Sequence, residues 1–253
     1  RQVINLIKPS SFDEKKYEDF VTLPIDVNKF KPYLNCPLKI TQDSTLNVKL
    51  LLDSGATTAL ILNTNTHENL KLPPNVLSGN IGMGLGGFLE GFMGRVESLD
   101  IHPFEMNEVL TNFQDIPPQM DTSLLNGRNG IIGNQILRRF HIIIDYWNET
   151  LYLKPNRFYK FSFEYDKSGL VIIAGGVQLN RFIVHDVLKN SPAEAAGLRI
   201  GDELKNLNWT PTGFFSLQDI INNLSKKEGK KIRLVVKRNG KRHKFFFRLR
   251  KLI

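Results

Sequence analysis

The residues best suited to chemistry lie in Leu50-Leu51-Leu52-Asp53-Ser54-Gly55-Ala56. Three leucines drive a carboxylate toward the interior, and a turn follows at once. A strand buried on both faces is apolar throughout, so an acid at its end is a candidate working group. Burying it unpaired costs several kcal/mol or forces it to keep its proton. Gly55 lets the backbone turn tightly and bring amide N–H groups toward the acid. Ser54 supplies a short hydroxyl that can brace the turn. Asp-Ser-Gly is also an ordinary β-turn sequence, so the neighbouring motifs must decide. The five histidines are scattered without metal-ligand spacing, and Cys36 is alone, which excludes an intrachain disulfide and a cysteine-based zinc site. No cofactor or metal is expected.

Such an acid has to be held by the strands around it. Phe20–Val27, Pro32–Ile40 and Asn47–Leu52 read as strands, with Pro24 placing the first at a sheet edge. Ala59–Leu62 continues as a strand after the turn. From Gly79 to Val96 glycine recurs every two or three residues between large apolar side chains. Phosphate loops also use glycine, but no P-loop lysine and no helix-forming stretch follow. A glycine-tipped hairpin able to open and close fits better. Val96–Ile101 and Glu105–Leu110 read as further strands, and Pro117–Arg128 as a polar loop. Asn129-Gly130-Ile131-Ile132-Gly133-Asn134 leads into a short helical stretch ending near Phe140. His141–Tyr146 and Leu151–Lys154 then form a closing hairpin.

Length and composition bound the rest. The chain has 253 residues, 41% hydrophobic and 23% charged, enough for two domains with real cores. No apolar run approaches the roughly 18–20 residues of a membrane span. The chain opens on Arg1, with no visible signal peptide, and sequence upstream of it is expected. A lone cysteine fits a reducing compartment or a bacterial periplasm or envelope. The formal net charge is +9, with basic residues crowded between Lys226 and Lys251. Ile232–Lys237 and Phe245–Arg250 flank Asn239-Gly240, the pattern of a hairpin with a solvated, positive face. Since no nucleic-acid motif accompanies the charge, nucleic acid is not an expected partner.

Three elements in this order resemble the retropepsin-like aspartic proteases: Asp53-Ser54-Gly55-Ala56, the hairpin tip Gly84-Leu85-Gly86-Gly87-Phe88, and Gly130-Ile131-Ile132-Gly133-Asn134. The resemblance implies that Asp53 is half of a catalytic dyad and that Ser54 locks two active-site turns together. It implies that the Gly84–Phe88 tip is a flap over substrate, and that Ile131 and Gly133 pack under the active-site loop. Retroviral members often carry an Asp–Arg pair where this chain has Thr57 and Asn134, so a neutral hydrogen bond is expected there.

The second half has its own signature. Val187–Leu204, with Ser191-Pro192, an alanine-rich stretch and Gly201-Asp202-Glu203-Leu204, is similar to a PDZ domain. Lys167-Ser168-Gly169-Leu170-Val171 lies where PDZ domains place the loop that receives a peptide's terminal carboxylate. Leu217–Ser225, with Leu217 and Ile221, would line the groove opposite that strand, for peptide binding by β-strand addition. The loop has one glycine, short of the fuller pattern.

The expected fold class is mainly β. Residues 1–18 read as a linker or N-terminal arm, 19–157 as a retropepsin-like acid-protease β-barrel, and 158–253 as a PDZ domain, a small β-barrel with two helices. The implied function is an aspartic endopeptidase acting on a polypeptide substrate, with a PDZ module that recognises substrate or partner peptides. Asp26, Asp43 and Asp145 lack the following Ser/Thr-Gly, so the second carboxylate has to come from a homodimer mate or an upstream tandem domain. The alternative is a non-catalytic peptide-binding protein that uses the retropepsin fold to dimerise.

Overall fold

The computed structural model describes residues 3–84, 87–117 and 125–253, and divides the chain into Arg1–Phe163 and Glu164–Ile253. In the first unit strands β2 (Asp26–Asn28), β3 (Lys31–Thr41), β4 (Ser44–Leu52), β5 (Leu60–Asn63), β6 (Val76–Gly84), β7 (Gly87–Ile101), β8 (Phe104–Gln114) and β9 (Gly130–Ile132) form one sheet. Its order is β2-β3-β4-β9-β5-β8-β7-β6, and the pairing of Leu38 with Leu99 joins β3 to β7 and closes a six-strand barrel. Tyr33, Leu38, Leu50, Leu60, Leu62, Val96, Leu99, Val109, Phe113 and Ile132 fill it. The stretch expected as a hairpin followed by a separate strand is one long β7, in which Gly94, Val96 and Ser98 are buried in alternation.

Strand β9 is short and central. It runs parallel to β4 through Leu50↔Gly130 to Leu52↔Ile132 and antiparallel to β5 through Leu60↔Ile132 to Leu62↔Gly130. Asn129 fixes its entry. Its amide donates to the Lys49 carbonyl at 2.8 Å, its Oδ1 accepts the Lys49 amide at 2.9 Å, and its carbonyl accepts the Asn63 amide at 2.8 Å. A short helix, α1 (Asn134–Leu137), follows β9 directly.

A three-stranded sheet, β1 (Val21–Pro24) with β11 (Thr150–Pro155) and β10 (Phe140–Asp145), completes this unit, and Pro24 sits on its edge strand. Residues 3–11 are exposed, and the aromatic contacts of the N-terminal segment begin at Phe12. Phe12 stacks on Tyr17 and meets Tyr152 edge-on, and the Tyr152 hydroxyl donates to Glu14 Oε1 at 3.1 Å.

The division between units falls at Phe163, six residues beyond the boundary expected at 157. Arg139 is the reason. Its buried guanidinium donates to the carbonyls of Gln135, Phe158, Tyr159, Phe161 and Ser162 and lies 3.8 Å over the Phe163 ring. Burial pulls this guanidinium down to about 10, still charged at neutral pH. One cation thus satisfies a run of carbonyls that no strand pairs, and holds residues 158–163 to the first unit.

In the second unit β12 (Leu170–Gly175), β13 (Arg181–Val187), β14 (Glu203–Leu207), β16 (Lys231–Arg238) and β17 (Lys241–Arg248) form a sheet in that order, and the short β15 (Thr210–Pro211) pairs with β14. Helices α2 (Pro192–Ala195) and α3 (Leu217–Leu224) accompany it. Ser191 caps α2 by accepting the Glu194 amide, Pro192 opens it, and Ser216 with Asp219 makes a capping box on α3. Phe182, Val184, Leu204, Leu207, Ile220, Leu224, Leu234 and Val236 form the core. Asn239-Gly240 connects β16 to β17 with both φ angles positive, as a two-residue hairpin turn requires.

The hairpin's positive face is only partly solvated. Arg238 Nε and Nη2 grip the two oxygens of the fully buried Asp202, each at 2.6 Å, and Asp202 also accepts the Arg199 amide. Arg233 lies 3.9 Å over Trp209. The Asp of the Gly-Asp-Glu-Leu stretch is therefore an internal anchor for β16.

Two substitutions test these supports. A Cβ on Gly130 would stand 1.9 Å from the Ile61 carbonyl oxygen, so Gly130→Ala should cost on the order of 3 kcal/mol or more. Hydrogen exchange at Leu50–Leu52 should accelerate accordingly, and unchanged protection would show that β9 is not held this tightly. Asp202→Ala leaves the partly exposed Arg238 without its carboxylate and the Arg199 amide without its acceptor, and should destabilise the second unit by about 1–3 kcal/mol. Urea unfolding of the full chain, followed at Trp209, checks this, and a midpoint equal to the parent's would refute it.

Candidate active site

Asp53 leaves the end of β4 with its backbone amide donating to the Ile132 carbonyl at 3.0 Å. The turn it begins is stapled to the β9–α1 segment. Gly133 N–H donates to the Ala59 carbonyl at 2.8 Å, Asn134 N–H to Ala56 at 2.7 Å, and Gln135 N–H to Thr58 at 3.1 Å. Gly133 allows this closeness, since a Cβ there would lie 2.3 Å from the Thr58 carbonyl oxygen. The strand preceding the acid is buried as expected, but Asp53 itself is half-exposed. Its Oδ1 accepts the Gly55 amide at 2.8 Å. Gly55 lies outside the left-handed region, so its role is spatial: a Cβ would stand 3.1 Å from Oδ1.

Ser54 is exposed and makes no hydrogen bond among the described residues. The expected neutral bond between the Thr57 and Asn134 side chains is not formed. Thr57 is exposed, and the segments are joined by backbone through Ala56 and Asn134 instead. On β9, Ile131 is half-buried while its neighbour Ile132 is fully buried. Asp53 has no side-chain partner among the described residues. The hairpin of β6 and β7 pairs its backbone out to Met83↔Phe88 and Gly84↔Gly87. Leu85 and Gly86 lie outside the described residues.

In the second unit β12 forms the outer edge of the sheet, with β13 on one side only. Leu170 and Ile172 face the core, and Val171 is half-buried. Helix α3 packs on β12, burying Ile220 and Leu224 and leaving Leu217 half-buried and Ile221 37% exposed. Leu217 and Ile221 share one helix face four residues apart. Ser168 and Gly169 are buried at the head of β12. Gly169 has φ +82°, and a Cβ there would meet Ser191 Cβ at 2.1 Å, so only glycine fits.

Sequence reasoning missed the residue that organises this loop. Oδ1 of Asp166 accepts from the Ser168 amide at 2.9 Å, the Ser168 hydroxyl at 2.7 Å, the Gly169 amide at 2.6 Å and the Leu170 amide at 3.3 Å. Burial pushes its carboxyl up to about 6, against the pull of these hydrogen bonds. The available signal was an acidic residue two places before Ser-Gly, the spacing of an Asx turn. Gly130 and Asn129, which seat β9, were also left out of the expected site.

Residues 37–136 match the family model described as aspartyl protease, and residues 183–238 match that of the PDZ domain. A putative zinc metalloprotease of Lactococcus lactis is 33% identical over 72 residues, and the chain spans only 16% of its length and 28% of its own. Among solved structures, similarity is found to a retropepsin-like aspartic protease from Rickettsia conorii (17% identity, 53% of this chain and 90% of that one, TM-score 0.38). The photosystem II D1 C-terminal processing protease is also similar (22% identity, 36% and 24%, TM-score 0.33). By these matches the chain carries an aspartyl-protease-like segment at 37–136 followed by a PDZ-like segment at 183–238.

Proposed function

We propose that this chain is an aspartic endopeptidase whose Asp53 forms half of a two-carboxylate site, with a PDZ groove that binds extended peptide. The observation that carries the reading is the rigidly stapled Asp53-Ser54-Gly55 turn at the end of a buried strand, within a domain matched by the aspartyl protease family. The Gly55 amide orients one carboxylate oxygen, and the residue's partial exposure leaves the group accessible.

The chemistry needs a second acid. Two carboxylates about 3 Å apart cannot both ionise and so share one proton across a low and a raised apparent pKa. The ionised member takes a proton from water as that water attacks the scissile carbonyl carbon, and the protonated member hydrogen-bonds the carbonyl oxygen. Collapse of the tetrahedral intermediate returns a proton to the leaving amine. The mate of Asp53 is the equivalent residue of a second copy, or a carboxylate from a domain upstream. The exposed Ser54 hydroxyl is available to bridge to that facing turn, and the β6–β7 hairpin is suited to cover one side of the bound peptide.

Asp53→Asn should lower peptidase activity on a denatured protein substrate by at least about a thousandfold, equivalent to roughly 4 kcal/mol of barrier, while leaving thermal stability unchanged or slightly higher. Activity within tenfold of the parent would overturn the assignment. The requirement for a second acid makes a separate prediction. If the mate is another copy, specific activity should fall on dilution as the dimer dissociates. If it is an upstream domain, residues 1–253 should be inactive at every concentration and recover when that domain is supplied. Turnover by a species shown by sedimentation to be monomeric would refute both.

A further inference from the structure

The loop at the head of β12 is an anion cradle that is already occupied. Three successive amides, of Ser168, Gly169 and Leu170, converge on one oxygen of Asp166, and the Ser168 hydroxyl adds a fourth donor. Successive N–H groups of this kind form a concavity that suits a carboxylate. These donors cannot turn to another acceptor, because the loop is pinned from behind. Its Ser168 carbonyl accepts the Ala193 amide at 2.9 Å and its Gly169 carbonyl accepts the Leu188 amide at 2.8 Å. The Lys167 amide and ammonium bond the carbonyls of Leu224 and Ser225 at the end of α3, and that ammonium also pairs with Glu164. The loop's own lysine, Lys167, is therefore committed as well.

A peptide ending at this loop would bring a second carboxylate to amides that Asp166 holds, against a like charge. An internal stretch of polypeptide brings no charge there. It can still pair with the open edge of β12 and lay side chains between Val171 and the Leu217–Ile221 face. We propose that the groove between β12 and α3 takes an internal segment of extended polypeptide rather than a chain terminus, with Asp166 standing where a terminal carboxylate would sit. This rests on the reading of that groove as a peptide site. It suits a protease that engages unfolded segments of substrate at a distance from their ends.

The test uses the full chain carrying Asp53→Asn, to prevent cleavage, and two pools of random dodecapeptides. One pool ends in a free carboxylate and the other in an amide. Binders should emerge from the amidated pool and, resynthesised in both forms, should differ in affinity by less than about threefold. Ile221→Arg should abolish their binding, which places them in this groove. In Asp166→Ala the vacated cradle should give the acid forms an advantage of about tenfold or more. Asp166→Asn keeps an acceptor in place and should stay indifferent to the terminus. Should Asp166→Ala fail to fold, the acid–amide comparison on the parent decides alone. Binders found only with free carboxylates, losing tenfold or more on amidation, would overturn the inference while leaving the peptide groove intact. No Ile221-dependent binder from either pool would refute the groove itself, and the inference with it.

Discussion

Everything around Asp53 depends on three residues of backbone fitting between two strands. Gly130–Ile132 is bonded to β4 on one side and β5 on the other, so the space available to it is set by sheet spacing rather than by side chains. At Gly130 a carbonyl oxygen of β5, and at Gly133 one of the active-site turn, stands where a Cβ would be. The insertion fixes the turn at both ends. Ile132 receives the Asp53 amide before the turn, and Gly133 reaches Ala59 after it. With each end tied to one rigid strand, the loop between has few conformations left, and the carboxylate it carries is preorganised.

The buried charges do a related job by different means. Arg139 and Asp202 sit where a regular element ends and irregular backbone begins. Arg139 gathers carbonyls from 158 to 162 that lack strand partners, and Asp202 holds Arg238 while accepting an amide from the turn after α2. A buried charge is a poor source of net stability, because desolvation offsets its attractions. It is a strong source of specificity, since misplacing the irregular segment leaves that charge without partners. Each unit thus uses a charged residue to fix the path of a loop.

The elements legible in the sequence were those with a periodic or steric signature. The leucine run ending at Asp53, the glycine-rich hairpin, the Asn239-Gly240 turn and the capped helices announce themselves locally. Asp53, Gly133, Ser168 and Gly169 came with them. What stayed hidden was decided by tertiary contacts. Nothing adjacent to Arg139 says that its partners lie some twenty residues further on, so the domain boundary was read too early. Basic residues of β16 were read as one solvated face because their spacing cannot distinguish Arg238, gripped by Asp202, from exposed Lys237. Thr57 and Asn134 were expected to meet through side chains, yet the backbone already joins their segments, which leaves those side chains free of the task.

The two units handle a carboxylate near a turn in opposite ways. Asp53 accepts one amide on one oxygen and is partly open to solvent, so most of its hydrogen-bonding capacity is uncommitted. Asp166 receives four donors on one oxygen, in a loop whose carbonyls are themselves bonded behind it. An acid that exchanges protons with water and faces a second carboxylate needs open hydrogen-bonding positions, as in the first arrangement. An acid that must fill a cradle needs the second. Each acid precedes a glycine by two or three residues, yet the two differ in how many donors they receive.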